Sequence, residues 1–63
     1  MKQDSLRQQV RMVKALNDDI TYKELAEALE IKDHSFYNWL KGYYNFSNIK
    51  ERILKSIIEG FIE

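Results

Sequence analysis

The chain has no cysteine, no proline, only two glycines and no net charge. Without cysteine there is no disulfide and no thiolate metal site, and a reducing cytoplasm is the expected compartment. Without proline, and with so little glycine, the chain suits helices joined by brief connections. Ten basic residues balance ten acidic ones. No excess of one sign therefore supplies a general attraction to nucleic acid or to a membrane surface. No apolar run approaches membrane-spanning length, and no charged-then-apolar signal segment opens the chain. With 63 residues there is room for one domain with a modest core. Such a domain gains from short-range helix packing or from a partner subunit.

What is present is helical periodicity. Leu6, Val10, Val13 and Leu16 fall at helical spacing and predict a first helix over about 4–17. Asp4 or Ser5 is expected to cap it, and the turn-favouring run Asn17-Asp18-Asp19 to end it. Arg7, Arg11 and Lys14 form a second stripe beside the apolar one. Ordinary solvation is its first explanation, and a basic flank near phosphate its second. Ser47 is expected to cap a last helix over about 48–62. That helix has a wide apolar set, with Ile49, Ile53 and Ile57 in one row and Leu54, Ile58, Phe61 and Ile62 in the next. Either the first helix covers both rows, or the second row is an exposed patch that pairs two copies, most simply about a twofold axis.

The most informative stretch is 21–42, TYKELAEALEIKDHSFYNWLKG. Thr21 and Glu24 read as a capping box, each side chain satisfying the other residue's backbone donor, and Ile20 is placed to staple onto Leu25. Leu25, Ala26 and Leu29 make an inward face, and the small Ala26 permits a close crossing of two short helices. Glu30-Ile31-Lys32 is the turn, with Ile31 plugging the core. A third helix over about 33–41 turns Phe36, Trp39 and Leu40 inward, and Gly42 stops it. An aromatic loop follows, from Tyr43 to Phe46. The expected fold is all-α: one domain, 1–63, made of a compact bundle of four helices, or five with a short terminal turn, around a helix-turn-helix.

Little else in the chain carries chemistry. His34 is the single histidine and lacks companions at metal-ligand spacing. No nucleophile and base stand with a third orienting group, and there is no glycine-rich phosphate loop. No enzyme, no metal, no cofactor and no small-molecule ligand is expected. The aromatic run Phe36, Tyr37, Trp39, Tyr43, Tyr44 and Phe46 could serve as a stacking platform for single strands. Core spacing is the stronger explanation of Phe36 and Trp39, and cover for the loop that of the rest.

Residues 21–42 resemble the helix-turn-helix of the phage-repressor-like family, also called Cro/repressor-type or XRE-type. Its pattern runs T-Q-x-x-L-A-x-x-L-G-[IV]-x-x-x-x-[IV]-x-x-[WIY]-x-x-G. Thr21, Leu25, Ala26, Leu29, Ile31, Phe36, Trp39 and Gly42 fall in its register without a gap. The resemblance implies a lambda-repressor-like bundle and a sequence-specific regulator that binds double-stranded DNA, with the helix at 33–41 in the major groove. It implies base contacts from Asp33, His34, Ser35 and Asn38. Asn38 suits adenine, His34 guanine, Ser35 either kind of base edge, and Asp33 cytosine or merely the helix dipole. Lys32 and Lys41 are the expected phosphate clamps, flanked by Tyr22, Lys23, Tyr37, Tyr44 and Asn45. A homodimer on a palindromic site is the expected assembly.

Two departures stand out. Tyr22 replaces the pattern's glutamine, and its hydroxyl can serve the same phosphate. Glu30 replaces the turn glycine, placing a Cβ where the backbone often needs positive φ. Glu30 and Asp33 also bring negative charge to the expected DNA face. Together with the neutral balance, they suit a second reading: a protein-interaction module on the same frame, such as a phage or mobile-element inhibitor or antirepressor.

Overall fold

The computed structural model describes residues 3–62, the side chain of Ile62 excepted. It is all-helical, with α1 (Asp4–Leu16), α2 (Tyr22–Ala28), α3 (Asp33–Leu40) and α4 (Asn48–Ile62). Among the described residues, no helix is long and apolar enough to cross a membrane. The main packings are α2 against α3 and α1 against α4. One core unites them: Leu6, Val10 and Val13 from α1, Leu25, Ala26 and Leu29 around α2, Phe36, Trp39 and Leu40 from α3, and Leu54 and Ile58 from α4, closed by Ile20 and Phe46.

Local chemistry sets the ends of the elements. Thr21 Oγ1 accepts from the Glu24 backbone N–H at 3.1 Å. The return half of the box differs from expectation. The Glu24 carboxylate accepts from the Thr21 hydroxyl at 3.1 Å rather than from a backbone N–H. Both α2 and α3 end in the same doubly hydrogen-bonded motif, which turns on one left-handed residue. After α2 that residue is Glu30, at φ 59°, with Glu30 N–H donating to Glu27 C=O and Ile31 N–H to Ala26 C=O, each at 3.0 Å. After α3 it is Gly42, at φ 90°, with Gly42 N–H on Trp39 C=O and Tyr43 N–H on Asn38 C=O. The positive φ anticipated at position 30 is therefore present in spite of the side chain. Lys50 Nζ then donates to the Leu29 carbonyl at 2.7 Å, a cation placed at the negative end of α2. Ile31 lies half-buried against the core.

Several expectations for α1 and α4 need correction. Asp4 is the first residue of α1 rather than its cap. The cap position is Gln3, and its side chain makes no capping bond. Leu16 is 76% exposed, because α1 ends there. The Asn17 backbone N–H and its side-chain Nδ2 both donate to the Val13 carbonyl, each at 3.0 Å.

The two rows of α4 exchange roles. Leu54 and Ile58, expected in an exposed pairing patch, are 0% and 1% exposed and belong to the core. Ile49 and Ile53 face solvent, and Ile57 is half-buried. Burial gives the physical reason: this rotation places Leu54 and Ile58 in the core shared with the other helices. Lys50, which precedes them at four-residue steps on the same side, reaches the end of α2 in the same orientation. Of the expected patch, Phe61 is exposed, and the Ile62 side chain lies outside the described residues.

Candidate nucleic-acid interface

α3 has two sides. Phe36, Trp39 and Leu40 are buried, and the opposite side carries His34, Tyr37, Asn38 and Lys41. The inward residues bind α3 through an aromatic cluster. Trp39 stacks on Phe46 with ring centroids 4.5 Å apart and planes 14° apart, and Phe36 lies 5.6 Å from Trp39. Tyr22 of α2 stacks on Phe36 at 5.8 Å and meets Tyr37 edge-on at 5.6 Å. The two helices are therefore clamped by ring contacts beside the helix-turn-helix turn as well as by the aliphatic core.

The polar support of α3 comes from α1 and was not foreseen. Arg7 is only 3% exposed. Its Nε donates to the Trp39 carbonyl, and one terminal nitrogen reaches the Tyr44 carbonyl at 2.7 Å and Asn45 Oδ1 at 3.1 Å. The other pairs with Asp4 at 3.0 Å, and the guanidinium lies 5.0 Å from the Trp39 ring centre. Arg11 donates to the Leu40 carbonyl at 2.8 Å. Two arginines thus cap the carboxyl end of α3, where its carbonyls lack helical partners and the dipole is negative. Arg7 is thereby occupied inside the protein, whereas Arg11 is exposed and gives one donor to Leu40.

Gln3 completes the support. Its Oε1 accepts from Trp39 Nε1 at 2.7 Å and from Phe46 N–H at 2.9 Å, while its Nε2 donates to the Phe46 carbonyl at 3.1 Å. No buried side-chain nitrogen or oxygen among the described residues lacks a partner. A signal for this cluster existed in the sequence. Gln3 and Arg7 stand one turn apart at the edge of the Leu6–Val10 stripe, and a core tryptophan needs an acceptor for its N–H.

The residues expected to contact bases are close together at the start and outer side of α3. Asp33 and His34 are exposed, and Ser35 and Asn38 are half-buried. The side chains of His34 and Asn38 make no hydrogen bond within the described residues. The Ser35 carbonyl accepts from the Tyr44 hydroxyl at 2.8 Å.

The expected phosphate ligands divide into free and engaged groups. Lys23, Lys32 and Lys41 are exposed; Lys32 stands at the cap of α3, and Lys41 lies 6.0 Å from the Tyr43 ring centre. Tyr37 is exposed beside them. The Tyr22 ring is committed to packing. The Tyr44 hydroxyl donates to the Ser35 carbonyl, and burial raises the pKa of that phenol. Asn45 spends its carbonyl oxygen on Arg7. Tyr44 and Asn45 are thus first of all struts of the loop that braces α3.

Among the described residues no group of histidine and carboxylate side chains is placed to hold a metal ion. Comparisons with protein-family models, with curated proteins and with solved structures returned no match.

Proposed function

We propose that the protein is a sequence-specific regulator that binds double-stranded DNA, of the phage-repressor-like, XRE-type kind, acting in the cytoplasm. The observation that carries this reading is the outer side of α3. Hydrogen-bonding side chains stand there unpaired, on a short helix whose inner side is locked by rings and whose far end is capped by two arginines. Such a helix presents its polar side at a fixed angle, which base readout requires. Asn38 offers a bidentate amide for adenine, and His34 and Ser35 offer further donors and acceptors. Lys23, Lys32 and Lys41 supply charge for phosphates on either side.

A homodimer belongs to the proposal. The molecule measures 26 × 21 × 19 Å and carries one such helix. Two half-sites one helical turn apart, roughly 34 Å, need a second copy.

A second reading, a protein-interaction module on the same frame, draws support from Tyr37 and Tyr43. Both are exposed around the same side, and tyrosine is a favoured anchor at protein interfaces. Selection of bound duplexes from a random DNA pool separates the two. Recovery of one palindrome supports the regulator, and Asn38→Ala should relax the preference at one base and weaken the site by about 1–3 kcal/mol. Failure to enrich any sequence at low salt would discard the DNA reading in favour of a protein partner.

A further inference from the structure

We infer that α4 pairs two copies of the chain antiparallel, through the face that carries Ile49, Ile53, Ser56 and Gly60. The inference gives a surface to the homodimer proposed above and does not depend on the DNA reading.

These four residues follow one another at steps of four, three and four, so they share one side of α4. That side points away from Leu54 and Ile58. Ile49 is 72% exposed, Ile53 is exposed as well, and Ser56 and Gly60 are open to solvent. The face is graded by size, with two isoleucines in its first half and a serine and a glycine in its second. Gly60 weakens a helix relative to alanine, and nothing inside the protomer requires it. A Cβ placed on Gly60 meets no atom within 4 Å.

Antiparallel pairing about a twofold axis near the middle of this face makes the gradient self-complementary. Ile49 of each copy falls opposite Gly60 of the other, and Ile53 opposite Ser56. Parallel pairing would oppose isoleucine to isoleucine and leave a gap at the glycines. The charges beside the face agree with the antiparallel register. Arg52 and Glu59 are both exposed on one flank, and the same register brings Arg52 of each copy to Glu59 of the other, twice by symmetry. Parallel pairing would place the two Arg52–Glu59 flanks on opposite sides of the seam and form neither cross-pair. Lys55 falls near the axis and approaches its own symmetry copy, a repulsion that Glu59 of its own chain, one turn away, offsets in part. On the other flank lies Phe61, beside an open groove whose apolar lining, Ile20, Leu25, Ala28 and Ile57, is edged by Asp19 and Glu24.

One helix face is smaller than the roughly 800 Å² per partner of a standard interface. The dimer is therefore weak, with a dissociation constant on the order of 10 µM or above.

Sedimentation equilibrium of the free protein, without DNA, tests the pairing. Arg52→Glu and Glu59→Arg should each weaken the dimer about five- to thirtyfold, since each breaks two cross-pairs and adds repulsion. The double swap should return it to within about twofold. Gly60→Leu should weaken the dimer at least about tenfold, while circular dichroism shows an intact protomer at least as stable as the parent. A chain that stays monomeric to about 1 mM overturns the inference. So does a dimer indifferent to Gly60→Leu, or one that the double swap fails to restore. If a palindrome is selected although these variants change nothing, the DNA reading stands and the interface lies elsewhere.

Discussion

Arg7 shows how much one residue can decide in a small core. Its guanidinium joins α1 to the end of α3 and to the 43–46 loop, and it does so with a planar fork of donors aimed at fixed carbonyls. Lysine has the charge without the fork. Arg7→Lys should therefore destabilise the fold by more than about 2 kcal/mol, close to the cost of Arg7→Met. Urea denaturation measures it; a midpoint unchanged by the lysine would show that charge alone suffices. Glu30 makes the opposite case, a residue held against its preference. Its φ of 59° suits glycine, and Glu30→Gly relieves that cost, offset in part by a freer unfolded chain. The expected gain is about 0.5–1 kcal/mol. On the proposed function it also strengthens DNA binding, by removing a negative charge from the turn before α3. A variant less stable than the parent would mean that the Glu30 side chain holds something the backbone geometry does not reveal.

At the scale of the element, α4 is the helix whose sides the sequence left undecided. Both of its apolar rows are long enough to form a core face, and periodicity alone ranks neither. The packing of the whole core makes the choice, with Leu54 and Ile58 in the interior and Lys50, on the same side, at the end of α2. Leu54→Ala is thus a cavity mutation, expected to cost about 2–5 kcal/mol and to lower the melting temperature at every protein concentration. A variant of unchanged stability and altered dimer mass would return Leu54 to an interface. In α2 and α3 the sequence was far more explicit. Thr21, Leu25, Ala26, Leu29, Phe36, Trp39 and Gly42 each do what their spacing implies, since a capped, amphipathic short helix has one way to face a neighbour.

At the scale of the whole molecule, the neutral charge conceals an uneven distribution. Arg7 and Lys50 are engaged with internal carbonyls and Arg11 gives one donor to Leu40, while Lys23, Lys32 and Lys41 are the exposed cations around the outer side of α3. A dimer on DNA would engage about six phosphates through them, and the logarithm of affinity should fall with the logarithm of salt at a slope of about −5. A slope near −9 would mean that the arginines also reach the backbone, which their bonds to α3 and its loop oppose. On the proposed function, weak general attraction together with a fixed α3 would favour selectivity over tight non-specific binding.

The sequence by itself determined the helices at 22–40, their turn, their inward residues and the polar set on the outer side of α3. Those features rest on local rules: caps, 3.6-residue periodicity and the left-handed residue that ends a helix. Only the tertiary structure decided that Gln3 and Arg7 are interior, that Tyr44 and Asn45 brace α3, and which row of α4 faces out. A polar side chain at the margin of an apolar stripe is buried or solvated according to the carbonyls and rings that distant segments bring to it. In this chain those partners lie on α3 and the loop after it, 32 to 43 residues away along the chain.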